Sequence, residues 1–303
     1  MKVGFIGAGE QGGPMAERVL DAGHELLVWD RREEVRAHFA QLGAKVVEAP
    51  AELGGCELVE VCVVNDQQVR DVLISDAVLE AMAPGAVVAV HSTVHPDTCR
   101  GLAEVAEKYG VGFLDAPVSG GAKGARASRL AVMVGGDRTV FERCHPVFKA
   151  FGVAIHVGPV GSGQLVKLLN NAFFTVQMGV SYELARLASE MSIDLEGLGR
   201  VLPGGTAASW VMSQYAASGF SHLAPLIAAG REHVIRMVEK DVALFDGVIH
   251  QRGLDARLVQ RFTTYGLELL HRGGTLIYDP AVDLPEYRRR VAVLDSPTAT
   301  APE

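Results

Sequence analysis

Three clusters in this sequence combine residue types and spacing that can do chemistry. The first is Gly7-Ala8-Gly9-Glu10-Gln11-Gly12, set directly after an apolar run. In that place the turn suits a pyrophosphate. Gly7 permits the tight turn, Gly9 lets the backbone approach the anion, and Gly12 lets strand and helix pack closely. The helix that follows offers unpaired N–H groups and a partial positive charge. About 18 residues on, Asp30 closes a second apolar run, where a carboxylate accepts from ribose hydroxyls and opposes a 2′-phosphate. Arg31 and Arg32 pull the other way, since a guanidinium attracts phosphate or stacks on adenine. This pattern favours NAD and leaves NADP open.

The second cluster is Ser119-Gly120-Gly121, just beyond another apolar run. A hydroxyl followed by two accessible backbone N–H groups is suited to holding a carboxylate. In the third, Gly161-Ser162-Gly163 leads into Lys167, Asn170 and Asn171. On a helix, Lys167 and Asn171 are neighbours one turn apart. A lysine and an amide at the start of a long, otherwise apolar helix suggest a polar site facing a cleft, although a lone helical lysine is usually solvated. Lys240-Asp241, taken alone, reads as a surface charge pair. His91 and His95 flank Ser92-Thr93 without a third ligand nearby, so no metal site is expected. His145 and His156 read as surface or packing residues, and no GxSxG elbow or Ser-His-Asp order points to a hydrolase.

These groups need a scaffold. Residues 2–7, 25–30, 58–64, 86–91 and 111–117 are short runs rich in Val and Leu, separated by helical stretches. Continuous apolar strands alternating with helices predict a parallel sheet covered on both faces, which residues 130–136 and 154–158 extend. From 164 to about 191 there is no proline and the apolar spacing is helical. At ~1.5 Å per residue such a helix is long enough to link two domains. Residues 195–290 read as further helices. The expected architecture is therefore an α/β protein. It has an N-terminal Rossmann-type parallel-sheet domain (1–160) and an all-helical substrate and oligomerisation domain (161–295), joined by the long helix. A polar tail (296–303) frays.

Composition narrows the function classes. With 28 Lys+Arg against 36 Asp+Glu, the net charge of −8 argues against nucleic-acid binding, which needs a basic face. No apolar run reaches the ~18–20 residues of a membrane span, and the first residues lack a signal-peptide core. The four cysteines, Cys56, Cys62, Cys99 and Cys144, form no CxxC pair and read as reduced packing residues, which points to a cytoplasmic protein.

Taken together, these segments resemble the β-hydroxyacid dehydrogenase family, of the 6-phosphogluconate dehydrogenase-like superfamily. That family includes 3-hydroxyisobutyrate dehydrogenases and tartronate semialdehyde reductases. Its opening, G-x-G-x-M-G-x-P-M-A, stands here as GAGEQGGPMA, and its substrate loop as DAPVSGGAKGA (115–125). Its catalytic stretch stands as GPVGSGQLVKLLNN (158–171), and its K-D pair as Lys240-Asp241. The resemblance runs from residue 2 to about residue 270.

The resemblance implies hydride transfer between NAD(P) and a hydroxy-carboxylate, or the matching semialdehyde. Lys167 would be the acid/base and Asn171 a substrate partner. Ser119, Gly120 and Gly121 would hold the substrate carboxylate, and Asp241 would be a pocket acid. Thr93, paired with Ser92, would lie near the nicotinamide, and Lys240 would contact the cofactor. A free lysine titrates at about 10.4. Burial beside a cationic ring would lower that value toward a useful base. Gln11 and Arg18, both bordering the cofactor, depart from the family's usual Met and Asn. His233 stands where a pocket-lining Phe is usual, and a proline is missing near Ala256. These departures speak against the usual small branched hydroxyacids, and His233 points to a substrate larger or more polar than hydroxyisobutyrate. Two alternatives are an imine reductase of the same architecture, which typically has Asp or Tyr in place of Lys167, and a non-catalytic dinucleotide-binding protein. A helical domain with this apolar content suggests a homodimer or homotetramer.

Overall fold

The computed structural model describes residues 1–217 and 231–271. The chain divides into two compact units, Met1–Leu169 and the residues from Asn170 on. The division falls inside the long helix rather than at 160, because the helix's first turns belong with the sheet.

The first unit opens with β1 (Lys2–Ile6), α1 (Gly12–Asp21), β2 (Glu25–Trp29), α2 (Glu33–Gln41) and the short β3 (Lys45–Val46). Then come β4 (Leu58–Val61), α3 (Asp66–Arg70), α4 (Val78–Ala81), β5 (Val87–Val90), α5 (Pro96–Lys108) and β6 (Gly112–Asp115). It closes with β7 (Val118–Ser119), α6 (Gly121–Arg126), β8 (Leu130–Gly136), α7 (Arg138–Phe151), β9 (Gly152–Gly158) and the start of α8 (Ser162–Glu190). The strand order is β3-β2-β1-β4-β5-β6-β8-β7, with β9 beside β8.

Strands β1 to β6 run parallel, as expected. The sheet is nonetheless mixed, because β8 pairs antiparallel with both β6 and β7. A parallel return needs a crossover of roughly a dozen residues or more. Only about ten separate β7 from β8, so the chain turns back on itself; the longer connection through α7 then returns β9 parallel to β8.

Two apolar layers cover the sheet, one built around Phe5, Leu114, Phe148 and Phe151 and the other around Ile6, Leu53, Val88 and Leu102. Every residue of β4 and β5 is buried, which is why β5 reads as an unbroken apolar run and β4 as one broken at a single residue. Glu60 is the exception in type. It lies fully buried on β4, with its Oε1 3.5 Å from the Nε2 of the equally buried His91. His91 donates through Nδ1 to Ala116 O at 2.7 Å and meets Phe148 and Phe151 edge-on, so it is a core residue.

In the second unit, the remainder of α8 is followed by α9 (Leu195–Val201), α10 (Trp210–Ala217), α11 (Arg231–Gln251) and α12 (Arg257–His271). No strand occurs among its described residues. Met178, Tyr182 and Ala185 of α8 share a core with Val211, Met212, Val234, Val238, Val242, Leu269 and Leu270. The spacing of three and four along α8 and α11 sets one apolar stripe of each helix toward that core. Residues 296–303, read as a tail, lie outside the described residues.

Candidate active site

The first cluster forms at the carboxyl ends of β1 and β2. Gly7 holds φ 85°, and a Cβ there would come within 2.3 Å of Cys62 O. A Cβ on Gly12 would come within 2.2 Å of Gly7 O. No other residue fits this turn without moving β4 away from β1. Gln11 precedes α1 but gives it no side-chain cap, and its Nε2 turns instead to Met15 Sδ at 3.6 Å. The first turn of α1 holds no acid, so the positive end of the helix is not neutralised from within it. Ala8 is buried, Gly9 half-buried, and Glu10 exposed at the tip. These features fit a dinucleotide pyrophosphate.

Asp30 is buried just past β2. Its partner was not legible in the sequence. Arg32 binds it as a fork, Nε to Oδ1 and Nη2 to Oδ2, both at 2.9 Å, and the Arg32 N–H adds a third bond at 3.0 Å. Burial pulls the Asp30 carboxyl up, but the hydrogen bonds and charge of Arg32 outweigh it and hold the group below its ordinary value. The same guanidinium lies against the glycine turn, since a Cβ on Gly9 would sit 2.9 Å from Arg32 Nη2. Arg31 is exposed. Arg32 is exposed as well, and the charges of both arginines help to lower the Asp30 carboxyl. Arg18 lies in the last turn of α1 and pairs with Asp21, roughly 9 Å along the helix from the glycine turn.

The loops after β5 and β6 emerge at the same edge. Ser92 is buried and structural, its Oγ accepting from Val63 N at 2.8 Å, while Thr93 beside it is half-buried. Ser119 ends β7, and Gly120 and Gly121 follow with φ 128° and 64° at the entrance to α6. Asp115, the last residue of β6, is fully buried and binds the start of α8. Its Oδ1 accepts from Gly161 N at 2.7 Å and its Oδ2 from Gln164 N at 2.8 Å. Burial pushes the Asp115 carboxyl up to about 6, against the opposing pull of those N–H groups. Gln164, also fully buried, donates through Nε2 to Ser92 O at 2.9 Å and accepts at Oε1 from Val94 N at 3.1 Å. Lys167, half-buried, follows three residues later.

The other candidates belong to the second unit. Asn171 Nδ2 donates to Asp241 Oδ2 at 2.5 Å, and Asn171 Oδ1 accepts from Asn170 at 2.9 Å. Asp241 is buried, and Lys240 Nζ stands 3.2 Å from its Oδ1. The pair is thus part of a partly buried polar chain rather than an isolated surface charge pair. The His233 side chain lies outside the described residues. Among the described residues, no group of three potential ligands could hold a metal, and no helix is long and apolar enough to cross a membrane.

Comparison with known proteins adds independent findings. Residues 2–158 match the family model for the NAD binding domain of 6-phosphogluconate dehydrogenase. A 3-hydroxyisobutyrate dehydrogenase of Pseudomonas aeruginosa is 31% identical over 249 residues, covering 80% of this chain and 83% of the relative. An NAD-dependent L-serine dehydrogenase of the same organism is 33% identical over 217 residues, covering 71% and 73%. Among solved structures, Mycobacterium tuberculosis 3-hydroxyisobutyrate dehydrogenase with L-serine superposes with a TM-score of 0.79 at 26% identity. That match covers 95% of this chain and 99% of the other.

Proposed function

Because the chain belongs to the NAD-dependent hydroxyacid dehydrogenase family that includes 3-hydroxyisobutyrate dehydrogenase, we propose that it interconverts a small 3-hydroxy carboxylate and its semialdehyde, with Lys167 as general acid/base. The relatives named for 3-hydroxyisobutyrate and L-serine point to a shared substrate skeleton. Both molecules carry a primary hydroxyl two carbons from a carboxylate and differ in the group between. The observation that carries the proposal is the fastening of α8 by Asp115 and Gln164 at the sheet edge that bears the dinucleotide cradle. Lys167 stands one turn beyond that fastening.

The Gly7–Gly12 turn and the first turn of α1 would hold the pyrophosphate, Asp30 the adenosine ribose, and Thr93 and Lys240 the nicotinamide half. When bound, the dinucleotide supplies the two-electron acceptor or donor. Ser119, Gly120 and Gly121 bind the substrate carboxylate, which fixes the hydroxyl carbon. Lys167 Nζ takes the hydroxyl proton during oxidation and returns it to the oxygen during reduction. Asn171, oriented by Asp241, hydrogen-bonds the substrate. The retained lysine favours this chemistry over imine reduction. We also place self-association, as a homodimer or homotetramer, in the helical unit. No disulfide joins the four cysteines, which fits a reducing, cytoplasmic setting.

The test is NADH formation from a panel including L-serine, 3-hydroxyisobutyrate and aromatic hydroxyacids, with wild type and Lys167→Ala. The expected loss in kcat is ~10²–10⁴-fold, with NADH affinity nearly unchanged, because proton transfer assists the transition state. Retention of near-full activity across the pH range removes Lys167 from the mechanism.

A further inference from the structure

Lys167 can act only if its helix is held in register with the sheet, and the holding is not done locally. A helix normally takes its cap from a Ser, Asp or Asn beside its own first turn. Here the carboxylate that satisfies Gly161 N and Gln164 N comes from Asp115, 46 and 49 residues back along the chain. Gln164 uses both atoms of its amide on the backbone of Ser92 and Val94. Both side chains are fully buried. Three segments therefore meet in one hydrogen-bonded set: the end of β6, which leads to Ser119, the loop that carries Thr93, and the first turn of α8.

Close contact reinforces the bonds. A Cβ on Gly163 would lie 2.3 Å from Met133 O and 2.6 Å from Asp115 O, so α8 begins pressed against the end of β6 and the middle of β8. A local cap would fix the helix end wherever the helix lay. This arrangement fixes the helix to the sheet. Lys167 is about 4.5 Å further along the axis, too near for a shift at Gln164 to be absorbed before reaching it.

We propose that Asp115 and Gln164 are positioning residues, a buried clasp that sets where Lys167 stands relative to the loops after β5 and β6. The proposal rests on the reading of Lys167 as acid/base. A misplacement of ~1 Å can cost about 100-fold in rate. Loosening the clasp should therefore act on turnover and not on dinucleotide binding.

Gln164→Met keeps the side chain's length and removes both of its bonds. With L-serine and 3-hydroxyisobutyrate as probes, kcat should fall about 10- to 100-fold, while the NADH dissociation constant, read by nicotinamide fluorescence, changes less than about threefold. In a Lys167→Ala background the same change should cost less than about twofold, because no lysine remains to be misplaced. If Gln164→Met does not fold, Asp115→Asn, which keeps one acceptor of two, carries the same comparison. A kcat within about twofold of wild type, or an equal loss with and without Lys167, overturns the clasp and leaves the lysine's role standing. Full activity in Lys167→Ala alone removes the lysine, and the clasp's action through it falls too.

Discussion

At the scale of single residues, the chemistry around the dinucleotide cradle turns on which arginine Asp30 holds. The two arginines are adjacent in sequence and equal in type, so no pattern distinguishes them. The backbone after β2 decides, folding Arg32 back onto the carboxylate. The glycines were legible for the opposite reason: a φ of 85° and a 2.3 Å clearance leave one residue type for the position. Wild type is expected to prefer NAD, since Asp30 stays ionised throughout the physiological range. Asp30→Ser would release Arg32 toward a 2′-phosphate. A charge-assisted bond of about 1.5–3 kcal/mol then raises the NADP-to-NAD ratio of kcat/KM by roughly 10- to 100-fold. Steady-state kinetics with both cofactors checks this, and a strong NADP preference in wild type would show the role of Asp30 to be misread.

At the scale of elements, the strands with continuous apolar runs were readable, and β7 was not. Two residues are too few to show a period, and the reversal of β8 depends on the length of a connection rather than on its composition. The fastening of α8 was equally hidden, because Asp115 sits within a loop motif and its partners lie 46 and 49 residues away. That fastening has a signature in pH. Burial raises the folded-state carboxyl to about 6 from an ordinary 3.8. The folded form therefore holds the proton more tightly than the unfolded chain. The resulting stabilisation is complete below about pH 4 and is lost as pH rises through about 6. Between pH 4.5 and 7.5 wild type should lose about 2 kcal/mol of unfolding free energy that Asp115→Asn does not. Urea titrations of both proteins at the two pH values test the difference, and parallel losses would mean that Asp115 does not carry it.

At the scale of the whole molecule, the helical unit was expected to assemble, and one face of α8 gives that expectation a place. Phe173, Val180, Leu184, Leu187 and Met191 are exposed at spacings of seven, four, three and four residues, with Phe173 62% and Met191 65% accessible. The opposite face, through Met178, Tyr182 and Ala185, is already committed to the core. A second copy is the occupant proposed for the open stripe. Light scattering at micromolar concentration should return at least twice the chain mass, and Leu187→Lys should lower it. A monomeric wild type refutes the assembly.

The distance along the chain between Asp115 and its partners also has a meaning in time. At roughly 5–20 residues per second, a ribosome adds the 46 residues from Asp115 to Gly161 in about 2–9 seconds. Throughout that interval β6 can pair with β5, but its terminal carboxylate has yet to meet the N–H groups that make burial tolerable, so it waits in water. The edge that will carry the reaction is thus the last part of the first unit to close. It closes as the opening turns of α8 arrive, so the newborn sheet is finished by the helix that begins the rest of the protein.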